Sequence, residues 1–260
     1  MSVTGRAMSE IRALDMKTRV DEILNRRPAV GMALGVVRNG RLEFFRGHGV
    51  ADIASKRPIT EDTVFRIASI TKTFTAIAVM QLYEQGQVDL DAPANDYLRS
   101  YRLIPAKASF GPATVRHLLT HTAGIPEVVH VSDLLHPDWG PFGARPAVHS
   151  VKVGEPMPSL AEYYRRGLQV VVEPGSAFSY SNHGFATLGQ IVEDVSGKPL
   201  HGYLREHIFE PLDMADTDLV RSEQVASLLA TGYILGPSGA KAVPDREWLG
   251  LGADGIYSSS

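Results

Sequence analysis

Two runs of strand-forming residues, "AVGMALGVV" and "LEFFRGHGVAD", flank the tetrapeptide "RNGR". Asn39-Gly40 is the dipeptide that most readily takes the positive φ angles of a two-residue hairpin turn, so the pattern predicts an antiparallel strand pair near the N-terminus. A hairpin alone is marginal in water and needs its apolar face covered. Upstream, Ile11, Leu14, Val20, Ile23 and Leu24 recur at near-helical spacing among charged residues. They predict an amphipathic helix over about 9–26 that lies against the sheet.

After the hairpin the pattern changes to helices and long loops. "SITKTFTAIAVMQLYEQG" reads as a helix from Ser69 or Ile70 that ends at Gly86, a residue suited to the left-handed C′ position. "TVRHLLTH" is a short helix closed by Gly124. The stretch 126–158, rich in Pro, Gly and His without a period, reads as an irregular excursion. "SLAE" from Ser159 is a capping box, and "GFATLGQIVEDVSG" carries Phe185, Leu188, Ile191, Val192 and Val195 on a helix closed by Gly197.

The 260 residues, 44% of them hydrophobic, suffice for one large domain or two small ones. With 26 basic against 29 acidic residues and no basic block, the chain has no electrostatic footprint for nucleic acid or an anionic membrane. The expected partner is a small molecule or a short peptide. Absence of cysteine excludes disulfides, zinc thiolate sites and thiol catalysis. No apolar run is long enough to span a bilayer and no signal-peptide pattern opens the chain, so the expected location is cytoplasmic.

Chemistry enters at Ser69 and Lys72. Residues i and i+3 share a helix face, so the serine hydroxyl and the lysine amine can meet, and the amine can take the serine proton. The helix N-terminus adds partial positive charge where an oxyanion would form. Alone, S-x-x-K recurs by chance, and a capping serine with a snorkelling lysine would read the same. A second stretch, "EPGSAFSYSNHGFATLGQIVE", offers the Tyr180 phenol and the Asn182 carboxamide between a Pro-Gly turn and a helix. A tyrosine near an ammonium can exchange protons with a serine and a leaving group, and an asparagine can orient a substrate amide.

"VFRIASITKTFTA", "VRHLLTHTAGIP", "PGSAFSYSNHGFATLGQIVEDVSGKPL", "IFEPLDMADTDL" and "GADGIYSSS" stand in that order along the chain. In these landmarks it resembles the serine β-lactamase and penicillin-binding superfamily, and within it the class C β-lactamase, D-Ala carboxypeptidase and esterase branch. The resemblance implies an α/β fold, an antiparallel sheet flanked by helices with a mainly helical region beside it and the site in the cleft. It implies Ser69 as acylated nucleophile, Lys72 and Tyr180 as the proton-transfer pair, Asn182 as a substrate-orienting residue and Asp254 as a pocket-lining one, with no cofactor and no metal. The implied activity is serine hydrolysis of esters, β-lactams or D-Ala peptides through an acyl-enzyme. An acyltransferase of the same family and an inactive binding or scaffold protein are the alternatives.

One departure stands out. The family's late K-T-G or H-x-G strand, which supplies the second oxyanion donor and a carboxylate-binding group, has no counterpart before Ser260. The resemblance then implies a C-terminally incomplete sheet, divided as 1–57 (helix and hairpin), 58–248 (mainly helical) and 249–260 (return segment). Its open edge would be covered by self-association or a C-terminal fragment. Competing motifs are weaker. His117 and His121 stand at i and i+4 but lack the glutamate of H-E-x-x-H and a clear third ligand, so they read as braces for a helix end and its loop. "SGK" at 196–198 lacks the first P-loop glycine, G-x-S-x-G is absent, and Trp248 and Tyr257 read as packing residues.

Overall fold

The computed structural model describes residues 3–26, 29–127 and 150–259. Most of the excursion expected over 126–158, residues 128–149, lies outside them. By contact the chain forms two compact units, one of residues 1–65, 224–244 and 259–260, the other of 66–223 and 245–258. The division thus differs from a linear one at 57 and 248, because 224–244 folds with the N-terminal elements.

In the first unit, helix α1 (Val3–Arg26) starts earlier than its apolar spacing suggests. It meets the sheet as expected: Arg46 of the second strand pairs with Asp21 at 2.7 Å, and Leu24 is buried. Strands β1 (Gly31–Arg38) and β2 (Arg41–Asp52) are antiparallel with Arg38 opposite Arg41. The turn between them has φ of 51° at Asn39 and 69° at Gly40, the two left-handed residues the dipeptide predicts. The short β3 (Arg57–Pro58) pairs with β2, giving the order β1-β2-β3.

The first unit's opening segment ends and the second unit begins within β4 (Phe65–Arg66), followed by a single helical turn at Ala68–Ile70 and α2 (Thr71–Glu84). Helix α2 ends as expected, with Gln85 as C-cap and Gly86 left-handed at φ 68°. Strand β5 (Leu103–Pro105) leads to α3 (Val115–Leu119), and after the undescribed segment come β6 (Ser150–Lys152), α4 (Leu160–Tyr163) and β7 (Leu168–Val170). Strands β5 and β7 pair in parallel. The Ser159–Glu162 capping box forms at α4. Helix α3 closes at His121, left-handed at φ 57°, three residues before the expected Gly124. Helices α5 (Asn182–Ser196) and α6 (Leu200–Leu204) follow, with Gly197 left-handed after α5 as expected.

The chain then passes through α7 (Glu223–Leu228) to a hairpin of β8 (Tyr233–Gly236) and β9 (Gly239–Ala242) in the first unit. There Thr231 N–H donates to Ala51 O at 2.8 Å and Tyr233 OH to Asp52 at 3.1 Å. It returns to the second unit with β10 (Arg246–Trp248), antiparallel to β6, then α8 (Leu251–Asp254) and β11 (Tyr257–Ser258).

Ala78, Val79 and Leu82 of α2 are buried in one core with Val115 and Leu118 of α3, Leu188, Ile191 and Val192 of α5, and Leu204 of α6. Each of the valine, leucine and isoleucine side chains, fully buried, contributes about 1.5–3 kcal/mol. That core holds the first turn of α2 and the first turn of α5 in fixed relation.

Candidate active site

Ser69 sits in the helical turn that feeds α2, immediately after Ala68, whose φ of 45° is unusual for a residue with a Cβ. The bend leaves Ser69 exposed while Lys72, one turn on, is only 7% exposed. Their i, i+3 spacing brings Nζ to 3.0 Å from Oγ. Segment 252–256 is stitched to this turn: Thr75 Oγ1 donates to Gly252 O at 2.7 Å, Lys72 Nζ to Ala253 O at 3.0 Å, and the N–H groups of Ile67 and Ile256 to Ile256 O and Thr71 Oγ1. The stitching places Asp254 beside the serine, where Oδ1 accepts the Ser69 hydroxyl at 2.7 Å and lies 3.4 Å from Lys72 Nζ.

The Tyr180-Asn182 stretch enters from the other side. Tyr180 OH is 2.9 Å from Ser69 Oγ, and its ring packs on the His121 ring with centroids 4.4 Å apart. Asn182 is the first residue of α5, and its Oδ1 accepts from Lys72 Nζ at 2.6 Å. Ser69, Lys72, Tyr180, Asn182 and Asp254, brought forward from sequence, therefore form one hydrogen-bonded group. Lys72 Nζ also stands 5.0 Å from the Tyr180 ring centroid, over its face.

A model of the Beta-lactamase family matches residues 16–260 of the chain. The chain belongs to the β-lactamase family. It is 33% identical over 209 residues to esterase EstB of Burkholderia gladioli, covering 78% of this chain and 50% of the esterase. It is 29% identical over 232 residues to a β-lactamase of Yersinia enterocolitica, covering 87% and 53%. The octameric penicillin-binding protein homologue of Pyrococcus abyssi superposes with a TM-score of 0.71 at 29% identity, covering 94% of this chain and 53% of that one. The chain thus spans about half the length of the curated relatives it matches.

Two further residues support the hydrogen-bonded group in this β-lactamase family member. Glu127 accepts from both the backbone N–H and the Nδ2 of Asn182, each at 2.8 Å. Its carboxylate satisfies an unpaired N–H at the start of α5 and turns the amide so that Oδ1 faces Lys72. Burial pushes the Glu127 carboxyl above its ordinary value, against the lowering by the Asn182 backbone bond and the Lys72 charge. Glu127 follows directly on "HTAGIP", and nothing in its spacing separates it from an ordinary loop glutamate.

His121 accepts from Ser181 N–H at 3.2 Å through Nδ1, while its own carbonyl takes Ser179 N–H at 2.7 Å. Burial and then the Lys72 charge hold its imidazole below the usual value, which favours the neutral ring under Tyr180. His117 instead reaches back to its own helix cap, accepting from Thr114 N–H at 3.2 Å. The two histidines therefore brace a helix end and its loop, and no group of three or more metal-ligating side chains occurs among the described residues. Trp248 lies in β10, and Tyr257 is buried under the Arg66 guanidinium, 4.5 Å from its ring centroid.

Proposed function

We propose that the protein is a serine hydrolase working through an acyl-enzyme on Ser69, with esters, β-lactams and D-Ala peptides as the classes of acyl donor. The observation that carries this reading is the convergence of Lys72 Nζ and Tyr180 OH on one exposed hydroxyl, at 3.0 and 2.9 Å. A serine is a weak nucleophile until a neighbouring base removes its proton. The Lys72–Tyr180 pair must therefore enter the step one proton short of full protonation. The Oγ–H bond breaks and its proton passes to the pair, the Oγ–C bond forms, and the pair returns that proton to the departing alkoxide or amine as the scissile bond breaks. Water then takes the attacking place: it loses a proton to the pair as it bonds to the acyl carbon, and the pair returns that proton to Ser69 Oγ as the Oγ–C bond breaks.

Asn182, held by Glu127, fixes where the Lys72 amine points. The relatives support the reading by name, one an esterase and another a β-lactamase. A fluorophosphonate probe tests it. Peptide mapping should find Ser69 modified, and Ser69→Ala should lower hydrolysis of a p-nitrophenyl ester by about 10³-fold or more. Turnover by that variant within tenfold of wild type, or labelling elsewhere, overturns the assignment.

A further inference from the structure

We infer that Asp254 sets the charge of the substrate: it selects acyl donors that are uncharged near the scissile carbonyl over those carrying a carboxylate there. The inference rests on the acyl-enzyme reading and narrows its substrate classes to neutral esters. Its first ground is position. Oδ1 of Asp254 lies 2.7 Å from the atom that would attack, closer than Lys72 Nζ or Tyr180 OH. The bonds from Thr75, Lys72 and Ile256 to segment 252–256 keep the carboxylate there.

The second ground is the use already made of Lys72. Its amine faces Ser69 Oγ, Asn182 Oδ1, Ala253 O and Asp254 Oδ1 within 3.4 Å, more acceptors than an ammonium has hydrogens. It cannot receive a substrate carboxylate without surrendering one of these. The third ground is the local charge. Glu127 is a second carboxyl group in the network, and His121 is biased toward its neutral form. Among the described residues hydrogen-bonded to the site, Lys72 is the cation, and it already faces Asp254. A carboxylate a few bonds from the reacting carbonyl would meet Asp254 across a partly buried space, where like charges are screened less than in water. A neutral ester meets no such barrier, which makes Asp254 a rejecting element rather than an attracting one.

The test compares p-nitrophenyl valerate with mono-p-nitrophenyl glutarate, esters of equal chain length that differ by a terminal carboxylate. Wild type should favour the valerate in kcat/KM by about tenfold or more, as expected when like charges are juxtaposed at a recognition site. Asp254→Asn keeps the size and an acceptor oxygen, and the preference should shrink by about the same factor. In wild type, kcat/KM for the glutarate ester should also rise with added salt while that for the valerate stays level, a readout that stands even if the variant fails to fold. Equal handling of the two esters by wild type, a preference unchanged in Asp254→Asn, or a salt response shared by both overturns the inference and leaves acylation of Ser69 standing. If neither ester is turned over and a neutral fluorophosphonate leaves Ser69 unmodified, the acyl-enzyme reading fails and this inference falls with it.

Discussion

Glu127 takes two hydrogen bonds from one residue, and its carboxyl is held above its ordinary value chiefly by burial. The folded state therefore binds the Glu127 proton more tightly than the unfolded chain does, and its contribution to stability declines as pH rises. That contribution is largest below the ordinary value of 4.5 and is lost as pH climbs through the raised folded value. Glu127→Gln removes this slope, so the wild-type advantage in Tm over the variant should shrink between pH 4 and pH 8. Melting curves of both proteins across that range check it, and an advantage that stays constant or grows with pH contradicts it. The same residue marks how far the site could be read from sequence. Ser69 and Lys72 were legible because one helical turn makes them neighbours, and Tyr180 and Asn182 because they stand at a turn-to-helix junction. Glu127 meets Asn182 from 55 positions away along the chain, and such a contact leaves no local pattern. Asp254 was legible only through resemblance, and its bond to the nucleophile needed the fold.

The elements that carry their own punctuation were the ones sequence could place. Asn39-Gly40 marks its turn, Gly86 and Gly197 close α2 and α5, and the Ser159 box opens α4. Helix α8 has none of this: no side chain caps it, and a four-residue helix survives only by tertiary contact. That contact is a close approach of α8 to α5. A Cβ on Gly252 would lie 2.7 Å from Phe185 O and 3.2 Å from Gly189 Cα. Both are backbone atoms, so neither can swing aside. Gly252→Ala should therefore cost about 1–3 kcal/mol in stability, the range for overpacking a close-fitted interior. Because Gly252 O and Ala253 O anchor Thr75 and Lys72, the strain should also slow fluorophosphonate labelling of Ser69. Urea titration and labelling kinetics on the one variant check both, and an unchanged midpoint with unchanged labelling refutes the anchoring role.

The two units differ in how each is held together. Residues 224–244 join the first unit through bonds such as Thr231 N–H to Ala51 O, again a long-range pairing without a sequence signature. Among its described residues, the buried apolar side chains of that unit are Leu24, Ala51, Ile59, Val64 and Val225, and β1 has none. The second unit buries an extended core in which Val79, Val115, Leu188, Ile191, Val192 and Leu204 are fully enclosed. Local opening takes less free energy where fewer apolar contacts must be broken. Amides of β1 and β2 should then exchange through openings of lower free energy than those of Leu188, Ile191 and Val192 in α5. Native-state hydrogen exchange across a urea series measures both sets. The two sets should converge only near the global unfolding transition, and identical free energies and urea slopes from the outset would instead mean that both units open in a single cooperative step. With the expected order, the sheet unit fluctuates while the first turns of α2 and α5, and with them Ser69, Lys72 and Asn182, keep their spacing.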